Sequence, residues 1–440
     1  MAGSVTDWER KENMNVLKYG MEGYYVTLLQ YALERAGMDV GNPDGIFGRR
    51  TVQALLRFQR EQGIAADGVA GKLTWAALYP YISGYSLHRI ADGEDMAGLA
   101  QARGVSVRSV HTANPTADLK ALRPGDTMIV PNSLPVVTDR IPYSNLLTGL
   151  MLKGLVMRFP FLTSYEIGRS VMGQRIMAVS IGRGRKRIGY NGAHHANEWI
   201  TVTLLLRFLE EYAASYAEGG SIGGVPAKDL YDTATLHMVP LVNPDGVDLV
   251  TGALNPMDSY YAQASALASH YPGIPFPDGW KSNISGVDLN LQYPAGWEIA
   301  RRIKFDQGFT RPGPRDYVGS EPLIMPESRA MAKWTRDHDF ALTLSYHTQG
   351  KVIYWQYGGV EVPGAKAIGE ALSRSSGYAL ERTPDAAAYA GYKDWFIDAW
   401  RRPGFTVEAG SGDNPLPLSQ FSEIYRENLP ILVRGILLSP

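Results

Sequence analysis

"RIGYNGAHHANEWI", residues 187–200, runs from an apolar stretch through two adjacent histidines to a glutamate at the start of a helix-like segment. The continuation "TVTLLLRFLEEYAASYA", 201–217, has the length and apolar content of a core helix. A strand that feeds a helix across a polar turn is the repeating unit of α/β folds, and such sheets carry their sites where strands end. His195 and Glu198 are three apart at the helix start and share one side of a turn. His194 and Glu198 are four apart, so spacing alone does not choose between the histidines.

The pattern repeats outward. "RIMAVSIG" (175–182), "TLHMVPLV" (235–242), "FALTLSYH" (340–347) and "GFTVEAG" (404–410) read as strands, and "GAKAIGEALSRSSG" (364–377) reads as a helix. The alternation predicts one α/β unit over 141–440, with a mixed or mostly parallel sheet between helices. Its strand ends offer His194, His195 and Glu198, then Asn243, His347 and Glu408. Catalytic zinc takes three protein ligands of the His and carboxylate type and keeps a place for water. One of the adjacent histidines, with Glu198 and His347, would supply them, and Glu408 would remain as a base.

Composition narrows the chemistry. The 440 residues are 45% hydrophobic, enough for two to four compact units. The 43 basic and 44 acidic residues nearly cancel, which argues against nucleic acid or an anionic membrane as partner. Cysteine is absent, so a metal site must use His and carboxylates. No stretch approaches the length of an uncharged membrane span, and the opening "MAGSVTDWERKENMN" has no apolar core of the secretory kind.

Ahead of the α/β unit, "DGIFGRRT" (44–51) recurs as "DGVAGKLT" (67–74), with the helical run "VQALLRFQREQG" (52–63) between. This helical unit, 12–80, resembles the peptidoglycan-binding-domain-like module. Residues 84–132 follow: a short strand near Tyr85, helices in "DMAGLAQARG" and "SVRSVHTAN", and the turn "RPGDTMIVP" into a second strand. That order resembles a LysM module, which implies binding to N-acetylglucosamine-containing glycans. The prolines of "NSLPVVTDRIP" (132–142) mark a linker.

Over 141–440 the chain resembles the zinc carboxypeptidase family. It carries HxxEW as "HANEW", NPDG at Asn243 to Gly246, GVDxN as "GVDLN" at Gly286 to Asn290, the metal histidine in "SYHT" and FTxE as "FTVE", in the family's order. The resemblance implies that His195, Glu198 and His347 bind one Zn2+ and that Glu408 is general base and proton shuttle. It leaves His194 without an assigned part. His88, His111, His237, His270 and His338 are read as ordinary structural or solvated imidazoles.

Three departures point to the substrate. "GWKSN" places Lys281 where the family polarises the scissile carbonyl with arginine; a lysine can stabilise an oxyanion as a point charge. The family's Asn-Arg grip on a terminal carboxylate reads Asn290-Leu291, and leucine cannot hold a carboxylate. "AYAGYKDWFID" puts Lys393 at the base of the side-chain pocket, which calls for an anionic substrate group. The family's mobile tyrosine falls on Ala386, with Tyr389 nearby as substitute.

Together these resemble the γ-D-glutamyl-meso-diaminopimelate peptidase branch, which cuts stem peptides of peptidoglycan. The expected location is the cell wall or spore, with a cytoplasmic place left open. Two rival readings are a conventional metallocarboxypeptidase, with Arg301 or Arg302 supplying the missing grip, and a non-catalytic wall-binding protein.

Overall fold

The computed structural model describes residues 16–118 and 122–440, so residues 12–15 of the first expected unit and 119–121 of the second lie outside the described residues. The helical unit contains helices Tyr24–Arg35, Arg49–Glu61 and Lys72–Ser83. Its sequence echo has a structural cause. Buried Gln30 donates through Nε2 to Asp44 Oδ1 (2.7 Å) and the Ile46 carbonyl (3.1 Å), and accepts from the Gly45 amide (2.8 Å). Buried Gln59 repeats this on Asp67 (3.0 Å), the Val69 carbonyl (3.0 Å) and the Gly68 amide (3.0 Å). Each glutamine satisfies the polar backbone of one DG turn from inside, and Gly45 and Gly68 occupy φ of 76° and 69°, where a side chain is strained.

Strands β1 (Tyr85–Arg89) and β2 (Thr127–Pro131) pair antiparallel, and helices Met96–Ala102 and Val107–Ala113 lie between them in sequence. Residues 132–144 depart from the expected linker. Val136, Val137, Ile141 and Tyr143 are buried, and the Glu210 carboxylate accepts from the Val136 (2.5 Å) and Val137 (3.0 Å) amides. Helix Asn145–Arg158 approaches helix Lys72–Ser83 so closely that a Cβ on Gly154 would lie 2.1 Å from the Ser83 carbonyl oxygen. The segment thus packs the helical unit against the α/β unit, because its apolar residues have a face to cover.

The α/β unit is built on β3 (Thr163–Arg169), β4 (Arg175–Ile181), β5 (Lys186–Gly192), the short hairpin β6 (Ser221–Ile222) and β7 (Val225–Pro226), β8 (Ala234–Val239), β9 (Leu342–His347), β10 (Val352–Tyr354), β11 (Ala379–Glu381) and β12 (Gly404–Glu408). Eight of these form one mixed sheet in the order β11-β10-β12-β9-β5-β8-β4-β3. β12, β9, β5 and β8 run parallel, while β10, on one side, and β4, on the other, pair antiparallel to them. β9 is buried at every residue, as a parallel strand covered on both faces should be, whereas edge strand β3 is mostly accessible. Parallel neighbours finish at one edge of the sheet, so Gly192, Val239, His347 and Glu408 all end there.

A buried acid network braces that edge. Asp245 of the NPDG segment accepts from Ser170 Oγ (2.6 Å) and the Met172 amide (2.9 Å), and Glu327 accepts from the Val171 amide (3.0 Å) and Asn283 Nδ2 (3.3 Å). Burial pushes the Glu327 carboxyl up to about 7 from its ordinary value of 4.5. A raised folded value gives stability that is complete below the unfolded carboxyl range and is lost as pH rises through about 7. Glu327→Gln is therefore expected to gain on the wild type by up to about 3 kcal/mol between roughly pH 5 and pH 8. Paired denaturant titrations check this, and a constant difference across that range would contradict it.

Candidate active site

β5 ends at Gly192, and Ala193 turns the chain with φ 51°. The Ala193 amide donates to Thr201 Oγ1 (2.9 Å), which donates to the Glu198 carbonyl (2.8 Å), so residues 193–201 form a tight loop before helix Ile200–Glu218. His195 and Glu198 therefore stand on one short turn, with His195 Nδ1 2.9 Å from Glu198 Oε1. His347 arrives at the end of β9 and puts Nδ1 2.9 Å from Glu198 Oε2 and 3.2 Å from His195 Nδ1. These three buried residues form a group that could hold a metal ion, with ligand atoms all within 4.8 Å of one another.

The donor set fits zinc. Asp288 Oδ1 lies 3.2 Å from His195 Nε2, where it can accept that N–H, so that loss of the Nδ1 proton on metal binding would turn a lone pair towards the ligand group. Burial disfavours a charged ring, yet Glu198 and Asp288 outweigh it and raise His195 to about 9, so the pocket demands positive charge. Glu198 is likewise opposed by burial, but His195, Lys281 and His347 hold it well below the usual carboxylate range. Asp288 is the aspartate of the GVDLN segment, and that motif is its signal in the sequence. Asp288→Asn is expected to weaken metal binding about 10- to 100-fold, measured by competition with a chelating dye. Unchanged affinity would remove Asp288 from the site.

His194 is separated from this group by the turn itself. Its fully buried ring puts Nε2 2.9 Å from Tyr293 Oη and lies against His347 and Tyr392. Burial, with His347 and His195 nearby, holds its pKa well below the ordinary value, so it is a neutral packing residue.

Lys281 and Glu408 complete the cluster. Lys281 Nζ is 3.3 Å from Glu198 Oε1. Burial opposes its charge, but Glu198, Asp288 and Glu408 together raise its pKa. Glu408 sits opposite His347 in the β12–β9 register. Burial raises its carboxyl above the ordinary value, only partly offset by His347. A base of raised pKa beside a site for a cation can take a proton from water and return it.

The other expected residues take different places. Asn290 Oδ1 accepts from the Tyr392 amide (3.0 Å) and so holds helix Tyr392–Trp400 to the GVDLN segment. Leu291 is buried with Trp297, Ala300, Val318 and Ala390. Lys393 is not an open cation: its buried ammonium pairs with Asp394 Oδ1 (2.5 Å) and donates to the Gln356 carbonyl (2.6 Å) and Thr383 Oγ1 (3.1 Å). Two of its donors are taken by hydrogen bonds to Gln356 and Thr383, and Asp394 neutralises it at ion-pair distance. Tyr389 packs on Gly296 and edge-on to Tyr357. Ala386 is exposed in a short turn. Arg301 lies over the Trp297 and Phe305 rings on an exposed face, and Arg302 is exposed beside it.

Residues 150–431 match the zinc carboxypeptidase family model, and residues 22–78 match a peptidoglycan binding domain model. The chain is 46% identical over 287 residues to gamma-D-glutamyl-L-diamino acid endopeptidase 1 of Lysinibacillus sphaericus, covering 65% of this chain and 70% of that protein. It is 39% identical over 287 residues to an uncharacterized Bacillus subtilis protein, covering 65% of this chain and 74% of that one. The crystal structure of thrombin activatable fibrinolysis inhibitor shares the fold at TM-score 0.53 and 16% identity, covering 68% of this chain and 75% of that one.

Proposed function

The chain belongs to the zinc carboxypeptidase family, and we propose from that premise that it hydrolyses the bond between γ-D-glutamate and meso-diaminopimelate in peptidoglycan stem peptides. The observation that carries this reading is the convergence of His195, Glu198 and His347 at one sheet edge with Glu408 and Lys281 beside them. The similarity to an endopeptidase of γ-D-glutamyl-L-diamino acid linkages supports the substrate, as does the peptidoglycan-binding match ahead of the enzyme unit.

His195, Glu198 and His347 would hold one Zn2+, which supplies Lewis acidity to the scissile carbonyl and acidifies a water. Glu408 takes the proton from the attacking water and hands it to the leaving amine of the diamino acid. Lys281 directs its ammonium at the carbonyl oxygen as negative charge develops there. Asp288 keeps the proton of His195 on Nε2.

The helical unit and the β1–β2 unit, read as a LysM module, would hold the enzyme on glycan strands and raise its local substrate concentration. That reading places the protein at the cell wall or spore. Residues 132–144 tie that anchor to the α/β unit, as the Glu210 carboxylate accepts from the Val136 and Val137 amides. No helix among the described residues is long and apolar enough to cross a membrane. Buried Leu291 disfavours ordinary trimming of C-terminal residues, and the complete ligand and base set disfavours a non-catalytic protein.

Incubation of the zinc-loaded chain with L-Ala-γ-D-Glu-meso-diaminopimelate, read by mass spectrometry, is expected to release free diaminopimelate, and a chelator should abolish the release. An intact peptide with zinc present, or equal release with chelator, would sink the proposal.

A further inference from the structure

With Leu291 buried and Lys393 buried and neutralised by Asp394, the site described so far has one cation facing substrate, Lys281, on a substrate rich in carboxylates. A second cation stands beside it. Residues 312–317 cross the two segments that carry Lys281 and Asp288. The Lys281 and Ser282 amides donate to the Pro314 carbonyl (2.7 and 2.9 Å), and the Gly313 amide donates to the Gly286 carbonyl (3.0 Å). On the far side of Arg315, the Asp316 amide donates to Asp288 Oδ2 (3.2 Å) and the Asp288 amide donates to the Tyr317 carbonyl (2.9 Å). The backbone of Arg315 is thereby fastened on both sides to the walls of the site.

Its side chain is held at one end only. Arg315 Nε meets Asp316 Oδ2 at 2.5 Å, and Lys304 Nζ meets Asp316 Oδ1 at 2.6 Å. One carboxylate thus faces two cations, which leaves a net positive charge on the guanidinium side. Asp316 holds this position at φ 65°, a left-handed conformation that a non-glycine residue adopts only when its surroundings enforce it. The terminal nitrogens of Arg315 have no hydrogen-bond partner among the described residues, and 44% of the side chain is accessible. Burial works against its charge, but Asp316, then Asp288 and Glu198, raise its pKa, which puts it in the field of the ligand cluster. A guanidinium fixed through Nε with its fork open is built to receive a carboxylate in two parallel hydrogen bonds.

The geometry points to Arg315 as the residue that binds the free α-carboxylate of the γ-linked glutamyl residue, on the acyl side of the scissile bond. This inference rests on the peptidase reading above. Lys281 is the residue placed at the scissile carbonyl oxygen, and Arg315 is joined to it through Pro314. A γ-linked glutamyl residue carries a free carboxylate a few bonds back from that carbonyl, where an α-linked peptide has only its neutral main chain. Arg315 would therefore read the linkage itself.

The test compares L-Ala-γ-D-Glu-meso-diaminopimelate with its counterpart amidated at the glutamyl α-carboxylate, using the zinc-loaded full chain. In the wild type the amide should lower kcat/KM about 10- to 100-fold, mainly through KM. Arg315→Ala should lose the same factor on the acid, cleave acid and amide equally and keep its zinc, and Arg315→Lys should recover part of the preference. Arg315→Ala with the wild-type acid-to-amide ratio, or with both substrates reduced alike, would overturn the inference. Calorimetric binding of the product L-Ala-γ-D-Glu needs no turnover and separates the two readings. If the wild type cleaves neither peptide, the peptidase reading falls, and Arg315 stands only if Arg315→Ala weakens dipeptide binding about 10-fold or more.

Discussion

Glu408→Gln is expected to lower kcat for stem-peptide cleavage by about 10²- to 10⁴-fold while zinc content and thermal midpoint stay at wild-type values. The replacement keeps shape and removes only the ability to carry a proton. The position is well suited to such a test, because β12 is pinned on both sides: Glu408 is opposite His347 of β9 and opposite Val352 of β10. Neither neighbour depends on the carboxylate, and among the described residues its oxygens accept no protein hydrogen bond, so the amide has nothing to disrupt. Burial raises the Glu408 pKa for the same reason, since water is withheld from the charged form. Activity within a few-fold of wild type would remove Glu408 from proton transfer and with it the mechanism.

His347→Ala is expected to lose zinc and activity together, by a larger factor than the 10- to 100-fold weakening expected for Asp288→Asn. It removes one of three ligands and leaves His195 and Glu198 on a single turn, a pair that closes only one side of a metal. The ligand group, Glu408 and Asp288 put three carboxylates near one another, balanced within the protein by His195 and Lys281. A bound cation therefore contributes to folding as well as to chemistry, by roughly 4 kcal/mol when free metal exceeds Kd a thousandfold. A chelator should lower the thermal midpoint of the wild type and leave His347→Ala unmoved. Equal metal content by elemental analysis in the two proteins would refute the ligand assignment.

Much of the catalytic unit was legible because its signals are local. The strands at 175–182, 187–192, 235–242, 340–347 and 404–408 are short apolar runs that end in polar residues, and the structure forms a strand within each. The antiparallel additions at β10 and β11 were missed; they are three residues long and owe their pairing to neighbours instead of to periodicity. The prolines of residues 132–142 suggested a loose connection, but Val136, Val137 and Ile141 find an apolar face and Glu210 takes up two amides that would otherwise be buried unpaired. Lys393 shows the same limit: the sequence places the cation, and only packing shows that Asp394 and Gln356 have already occupied it.

The sequence by itself determined the family, the order of the strands that carry the chemistry and the residue types at their ends, because motif, period and spacing are properties of the chain alone. Spacing left the two adjacent histidines equivalent and family register pointed to His195; the tertiary structure gives the physical reason, since after the turn at Ala193 His194 meets Tyr293 and His195 meets Glu198. It decided that Leu291 is core and that Arg315, which no motif marks, stands beside Lys281. Those outcomes depend on backbone paths that bring residues distant in sequence into hydrogen-bonding range, and no local pattern encodes such a meeting.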